Sequence, residues 1–425
     1  MTETRALDEL LATVADDGKV LTDFLASNSY YQPSFSGPFK EYPELPEDVE
    51  EARKRLRVAA KAVHDLAAGP KDYLRQHTTC FNDLSTMAYI CYFKVPEAIP
   101  LVGSITYEQV AEACEVDETQ LRRILRYAMT NHLFREMSED EVAHTAYSAL
   151  LVTDKGERAV VEYECFDAFP AAAKLAHACE KWPGGEQPDQ TAWALANHKE
   201  QSYFQYLSEP GNEEQAQRFA DCMTAEMSAP AWDVKYTLSG YDWKSVKGTI
   251  VDIGGNRGQT AFALAREFTH LPQIVVEDLP AVVEPAKANL PGDLGNRVSF
   301  LAHDFHELQP AQFASAELFM LRCVLHDHSD KGAVRVIRNV LPALKQGARL
   351  VVFEVVASSS GDASALEERA VPSRDLELMT MLNGKERTED EWRQLFQRAD
   401  HGLRMGEVSV QKGSALGVFE VVYRK

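Results

Sequence analysis

From Gly248 onward the sequence alternates short apolar, β-branched runs with helical spacers of about 10–15 residues, and few folds accept that rhythm. TIVDIGG, QIVVEDL, RVSFLAHD, ELFMLRCVL and RLVVFEVV read as strands. Their apolar residues run on without polar alternation, as in strands covered on both faces. QTAFALAREF and AVVEPAKANL read as helices between the first three. Buried strands separated by helices predict an α/β fold with a parallel, doubly wound sheet from about Ser239 to the C-terminus. Two late runs, RMGEVSV and ALGVFEVVYR, predict an antiparallel hairpin at the sheet edge.

VDIGGNRG closes the first strand and opens the first helix. Gly254 and Gly255 let the backbone turn sharply and let a ligand lie against it. Asn256 stands where a dinucleotide fingerprint needs its second glycine, so the loop by itself also fits an ordinary strand-to-helix turn. Its setting adds weight. Asp278 ends the second strand, 24 residues after Gly254, where a carboxylate can take both hydroxyls of a ribose. Asp304 ends the third strand, and ligands of open α/β sheets bind beyond the carboxyl ends of the strands. Asp252, Asp278 and Asp304 make that crevice acidic, which suits a cation such as a sulfonium better than a pyrophosphate.

LRCVLHDHSD places His326, Asp327 and His328 at the end of the fourth strand, on the same edge. Glu354, inside VVFEVV, and Glu386, in GKERTEDEW, are the carboxylates available to orient the His326 ring. A glutamate among valines and Phe353 is costly to bury without a partner. A carboxylate on one imidazole nitrogen fixes the tautomer and leaves the other nitrogen free as a base. A metal site competes with this reading, because HDFH (His303, Asp304, His306) and HDH (His326, Asp327, His328) both offer nitrogen and oxygen ligands. Such a site takes Asp304 and His326 and leaves the glycine loop and Asp278 unexplained. A metal-dependent hydrolase is therefore the weaker alternative, and no metal is expected.

At 425 residues the chain accommodates more than one domain. Residues 1–75 alternate helical stretches with a Pro- and Tyr-rich connector and read as a helical extension, with Leu56, Ala59, Val63 and Leu66 on one helix face. Residues 76–155 hold two helices joined by a short turn, followed by a polar-apolar stretch as in a winged helix. Thr106 with Gln109, and Asp117 with Gln120, are spaced as capping boxes, and Val110, Ala113, Leu121, Ile124 and Leu125 supply the apolar faces. Residues 156–238 read as a mostly helical linker rich in aromatics, ahead of a catalytic domain at 239–425. Arg122, Arg123 and Arg126 on the second helix could touch phosphates, but a net charge of −21 opposes nucleic acid and anionic membranes as partners. Seven scattered cysteines without a CxxC pair suit a reducing compartment, and neither a signal peptide nor an apolar run of about 20 residues is evident, so a cytoplasmic location is expected.

Taken together, these motifs resemble the plant and fungal class of S-adenosylmethionine-dependent O-methyltransferases, along most of the chain. The resemblance implies a Rossmann-like C-terminal domain that binds S-adenosylmethionine and an N-terminal winged-helix dimerisation region. It matches VDIGGNRG to the family's glycine loop, with Asp252, Gly254 and Gly255, and Asp278 with Leu279 to its ribose-binding turn. It sets Asp304 and Phe305 beside the adenine, and Arg322, four residues before the histidine, on the cofactor's carboxylate. LHDHSD matches the motif of the family's base at His326, with Glu354 and Glu386 as its flanking glutamates. Met379 and Asn383 fall where substrate is bound. His328 departs from the pattern by replacing a tryptophan, and Asn256 replaces a glycine or serine. The implied activity is methyl transfer to a hydroxyl of a small phenolic or enolic secondary metabolite, by a homodimer whose N-terminal portion closes the partner's pocket. A pericyclase on the same fold, using the cofactor without methyl transfer, is the alternative. His144 has two readings, at the mouth of the cleft or as a structural histidine, and the structural one is favoured.

Overall fold

The computed structural model describes residues 7–35, 39, 41–358 and 367–424. The chain divides into two compact units, Met1–Phe169 with Asp362–Ala370, and Pro170–Gly361 with Val371–Lys425.

In the first unit, helices Leu7–Ser27 and Glu47–Thr78 pack through Leu21, Leu25 and Val49, and Asp17 accepts two hydrogen bonds from Arg55. The second helix kinks at Gly69–Pro70, where Gly69 has φ +67° and Pro70 lacks an amide hydrogen. Its buried face is Val49, Ala52 and Ala59; Leu66, expected to belong to that face, is 50% exposed.

The winged helix forms as the capping signals require. Thr106 and Gln109 make a reciprocal capping box on helix Tyr107–Cys114, and Asp117 accepts the Gln120 amide at the start of helix Glu118–Thr130. A three-stranded sheet of Ile105–Thr106, Glu141–Ala143 and Arg135–Ser138 completes it. Tyr107, Val110 and Ala111 face the core, whereas Ala113 is exposed, because helical periodicity repeats at three and four residues rather than at three and three. Arg122 is paired with Glu118 and Asp140, and Arg126 with Glu136, so two of the three arginines of this helix have carboxylate partners. His144 is buried, with ring nitrogens against Ser148 Oγ and the carbonyls of Pro96 and Ile99, a structural clamp within this unit.

The second unit is built on strands β1 (Ile250–Ile253), β2 (Ile274–Asp278), β3 (Val298–Ala302), β4 (Leu318–Arg322), β5 (Arg349–Glu354), β6 (Leu403–Met405), β7 (Ser409–Val410) and β8 (Gly417–Tyr423). Their order is β6-β8-β5-β4-β1-β2-β3, with β7 also on β8. Strands β1 to β5 are mutually parallel, and β8 runs antiparallel to β5. The two late runs thus pair antiparallel at the sheet edge, as expected, with β6 outermost. β8 is inserted between β5 and β6, and RMGEVSV divides into β6 and β7, both paired with β8. β8 has residues enough to bury Val418, Phe419 and Val421, which an edge strand would leave half exposed.

Period-two alternation sorts the side chains of the sheet onto two cores. Val251, Ile253, Phe319, Leu321, Leu350 and Val352 meet helices Asp330–Leu344 and Glu389–Ala399 on one face. Ile250, Val276, Met320, Val351 and Phe353 meet helix Gln259–Glu267 with Trp232 and Trp243 on the other. The strand order switches at β1, with β2 on one side and β4 on the other, so a crevice opens beyond the carboxyl ends of β1 and β4. Asp278, Arg322 and Glu354 all lie at that edge, as last residues of their strands. No helix among the described residues is long and apolar enough to cross a membrane.

Candidate active site

The loop after β1 is set by close packing. A Cβ on Gly254, which has φ +68°, would lie 2.9 Å from Val324, and one on Gly255 would lie 2.6 Å from Asp252 Oδ2. Asn256 takes a left-handed conformation, φ +51°, that asparagine tolerates better than most residues. Its amide donates to Asp278 Oδ2 at 2.9 Å, while the Leu279 amide donates to Oδ1 at 2.8 Å. Asp278 thus ties the loop to the end of β2. Gly258, not singled out above, completes the turn at φ +82° as N-cap of the following helix.

Acid accumulates here without an equal number of cations. Asp252 is buried with Oδ2 unpartnered, and burial pushes its carboxyl up to about 7 against the pull of Arg322. Burial likewise raises Glu277 to about 7, opposed by its hydrogen bond from Gln309, and raises Asp278. A positively charged ligand in this crevice relieves that penalty. Arg322 points toward the residues before the sheet, donating to Thr237 Oγ1 and to the Trp232 carbonyl at 2.7 Å.

Asp304 is exposed and accepts the His306 amide. The neighbouring Phe305 meets the rings of His306 and His328 edge-on, at 4.9 and 5.5 Å, and the two imidazoles are 5.1 Å apart. Burial lowers both histidines, His328 to about 3, so they are neutral rings. Among the described residues, the histidines and acids of HDFH and HDH do not converge into a group able to hold a metal ion.

His326 sits in a 3₁₀ turn, Leu325–Asp327, and is 8% exposed. Its Nδ1 is 3.4 Å from Glu386 Oε1 and 3.8 Å from Glu354 Oε2. The two glutamates have different tasks. Glu354 accepts the amides of Val324 and Leu325 on Oε1, at 2.9 and 2.7 Å, and so anchors the turn, whereas Glu386 faces the ring itself. On the opposite side Nε2 lies 3.5 Å from Asp327 Oδ1, a third carboxylate whose role by the ring the motif had not disclosed. Burial works against a charged imidazole, yet Glu354, Asp327 and Glu386 outweigh it and push His326 up to about 10.

Residues 383–387 form a cradle beneath this turn. Asn383, at φ +55°, donates to the carbonyls of Gln187 and Gln190, so its amide hydrogens are engaged within the protein. A Cβ on Gly384 would overlap the His326 carbonyl oxygen. The Lys385 amide donates to that same oxygen at 2.8 Å. Glu386 receives on its own amide the support of Asp375 Oδ1. Arg387, fully buried and stacked on Trp392, donates to the carbonyls of Leu325 and His328 and to Asp330. Gly384, Arg387 and Asp375 escaped the sequence reading; the only signal was their nearness to Glu386. Met379, on the helix Glu367–Leu382, is 39% exposed. Gly384→Ala forces the cradle off the turn, and we expect a loss of about 1–3 kcal/mol, the usual cost of overpacking, in urea denaturation.

Residues 195–402 match a family model described as an O-methyltransferase domain, and residues 75–154 match an O-methyltransferase dimerisation domain. The O-methyltransferase pgmB of Aspergillus terreus is 33% identical over 98% of this chain and 95% of its own, enough to establish kinship along the full length. The structure of OxaC in complex with sinefungin and meleagrin covers 97% of this chain and 99% of its own with a TM-score of 0.77 at 20% identity. A structure described as a pericyclic reaction enzyme covers 98% and 100% with a TM-score of 0.70, also at 20% identity. At that identity both share the fold and nothing more is carried over.

Proposed function

The chain belongs to the O-methyltransferase family, and we propose that it moves the methyl group of S-adenosylmethionine to a hydroxyl of a small phenolic or enolic secondary metabolite. The observation that carries this reading is His326, buried at the strand edge with the Glu386 carboxylate 3.4 Å from Nδ1 and, at Nε2, only the longer 3.5 Å approach of Asp327 Oδ1. S-adenosylmethionine, when bound, supplies an electrophilic methyl group on a positively charged sulfur. The unpartnered oxygen of Asp252 and the glycine cradle fit a cationic ligand of this kind. Gly254, Gly255, Asp278 and Leu279 would hold its nucleoside half, Asp304 and Phe305 its base, and Asp252 and Arg322 its amino-acid end.

His326 Nε2 takes the hydroxyl proton. An ordinary imidazole, near 6.5, is a poor match for a phenol near 10. Raised to about 10 by its carboxylates, His326 matches the phenol, and proton transfer approaches thermoneutrality. Glu386 holds the ring in place and Glu354 holds the turn. Met379 offers a thioether wall to the substrate, and Asn383, its amide hydrogens engaged, contributes Oδ1 or the position of the 187–190 backbone. The dimerisation match supports a homodimer, and seven free thiols support a cytoplasmic setting.

His326→Ala lowers turnover by about 10²–10⁴-fold, the usual contribution of a general base, while cofactor affinity in calorimetry holds. Methylated product and S-adenosylhomocysteine appear together in mass spectrometry; product formed without that by-product identifies a pericyclase instead. A protonated ring accepts nothing, so kcat/KM climbs with pH along a limb well above the ordinary ~6.5. In Glu386→Gln the lost negative charge lowers the ring's proton affinity, and the limb moves to lower pH as kcat falls about tenfold or more. A limb that stays in place contradicts the assignment. Light scattering gives about 95 kDa for the full chain, twice 47.5 kDa, and loss of residues 1–75 converts the dimer to monomer or aggregate.

A further inference from the structure

Nearly every arginine around the catalytic turn is committed to protein acceptors. Arg322 donates to Thr237 and the Trp232 carbonyl, and Arg387 to two carbonyls of the turn and to Asp330. Arg374 is the exception. It lies on helix Glu367–Leu382 on the same face as Leu378 and Met381, four and seven residues on, both of which are buried, so its side chain is directed inward and only 29% exposed. Its guanidinium carbon lies over the Trp232 ring, 4.3 Å from the centroid, a cation–π contact that uses none of the N–H donors for a hydrogen bond.

Its N–H groups make no hydrogen bond among the described residues. The nearest carboxylate oxygen, Glu386 Oε1, is 3.9 Å away, beyond hydrogen-bond distance, and already stands 3.4 Å from His326 Nδ1. Asp375, next in the chain, directs Oδ1 to the Glu386 amide instead. A counter-ion that served only to neutralise Glu386 would close to a bidentate pair, the geometry Arg53 adopts with Glu50 and Arg55 with Asp17. Arg374 thus lies over Trp232 beside the base, its guanidinium making no hydrogen bond among the described residues and only the 3.9 Å ion-pair approach to Glu386.

We propose that Arg374 recognises a second oxygen of the substrate, a carbonyl or carboxylate ortho or peri to the hydroxyl that is methylated. The inference rests on the methyltransferase reading of His326 and adds the class of substrate. A hydroxyl beside a conjugated carbonyl is tied up in an internal hydrogen bond and yields its proton poorly. A guanidinium that takes the carbonyl oxygen opens that bond and draws electron density from the ring. The freed O–H then turns to His326 Nε2. Because Arg374 and His326 both lie within 4 Å of one oxygen of Glu386, two neighbouring substrate oxygens can be served together. Arg374 is also the one lysine or arginine within ion-pair distance of Glu354, Glu386 or Asp327 among the described residues, so it offsets their repulsion of a developing phenolate.

The test uses the full-length protein saturated with S-adenosylhomocysteine and two isomeric probes. 1-Hydroxyanthraquinone carries its hydroxyl peri to a carbonyl; 2-hydroxyanthraquinone does not. Affinities are read by calorimetry and by quenching of tryptophan fluorescence, for the native chain, Arg374→Gln and Arg374→Lys. The native protein prefers the peri isomer, Arg374→Gln loses that preference by about tenfold or more, and Arg374→Lys recovers part of it. No preference in the native protein, or an equal loss for both isomers in both variants, overturns the proposal. Turnover with S-adenosylmethionine separates the two readings. A peri preference in binding without S-adenosylhomocysteine from either isomer sinks methyl transfer and leaves Arg374 standing. Equal methylation of both isomers by native protein and Arg374→Gln sinks the role of Arg374 alone.

Discussion

The contact between residues 383–387 and the turn Leu325–His328 is the constraint on which the site depends. The turn presents backbone carbonyls to residues 383–387: that of His326 receives the Lys385 amide, and those of Leu325 and His328 receive the Arg387 guanidinium. Glu354 grips the same turn from β5 through two amides. A histidine on a free strand-end loop would sample many orientations, and a base that wanders loses most of its effect. Here the donors and acceptors that fix it are buried, so little water competes for them. Gly384 permits the approach, since no side chain fits between the two segments.

Excess negative charge is the second theme, and it is used twice. In the loop after β1, Asp252, Glu277 and Asp278 stay above the ordinary carboxylate range because burial leaves them short of cations. That deficit selects a positive ligand. Around His326 the same excess acts on a group able to take a proton, and the imidazole becomes a stronger base than in water. Aspartate and glutamate thus do different work according to whether the partner is a ligand or a ring nitrogen.

Much of this was legible in the residues. The strand rhythm disclosed the parallel core, and VDIGGNRG, Asp278 and His326 with Glu354 and Glu386 fall at one sheet edge because strand ends are visible in the hydrophobic pattern. What stayed hidden depends on three-dimensional neighbours. The antiparallel edge pairing was legible, but not that β6 is outermost with β8 between it and β5, since period-two alternation does not state which strand lies beside which. Ala113 gave way to Ala111 on the core face by a shift of two residues, which a short helix leaves open. Arg387 reads as one more charge ahead of a charged helix, and its burial between Trp392, Asp330 and the carbonyls of the turn is set by three-dimensional neighbours. Asp327 is a motif neighbour of His326 in sequence, but its place at Nε2 follows from the tightness of the 3₁₀ turn.

The central claim is that buried carboxylates make His326 a strong base. The most direct measurement is a nuclear magnetic resonance titration of the His326 ring nitrogens in the full-length protein, assigned by comparison with His326→Ala. The account predicts a ring that stays protonated through neutral pH and titrates toward about 10. A ring that loses its proton at or below the ordinary imidazole value of ~6.5 contradicts it.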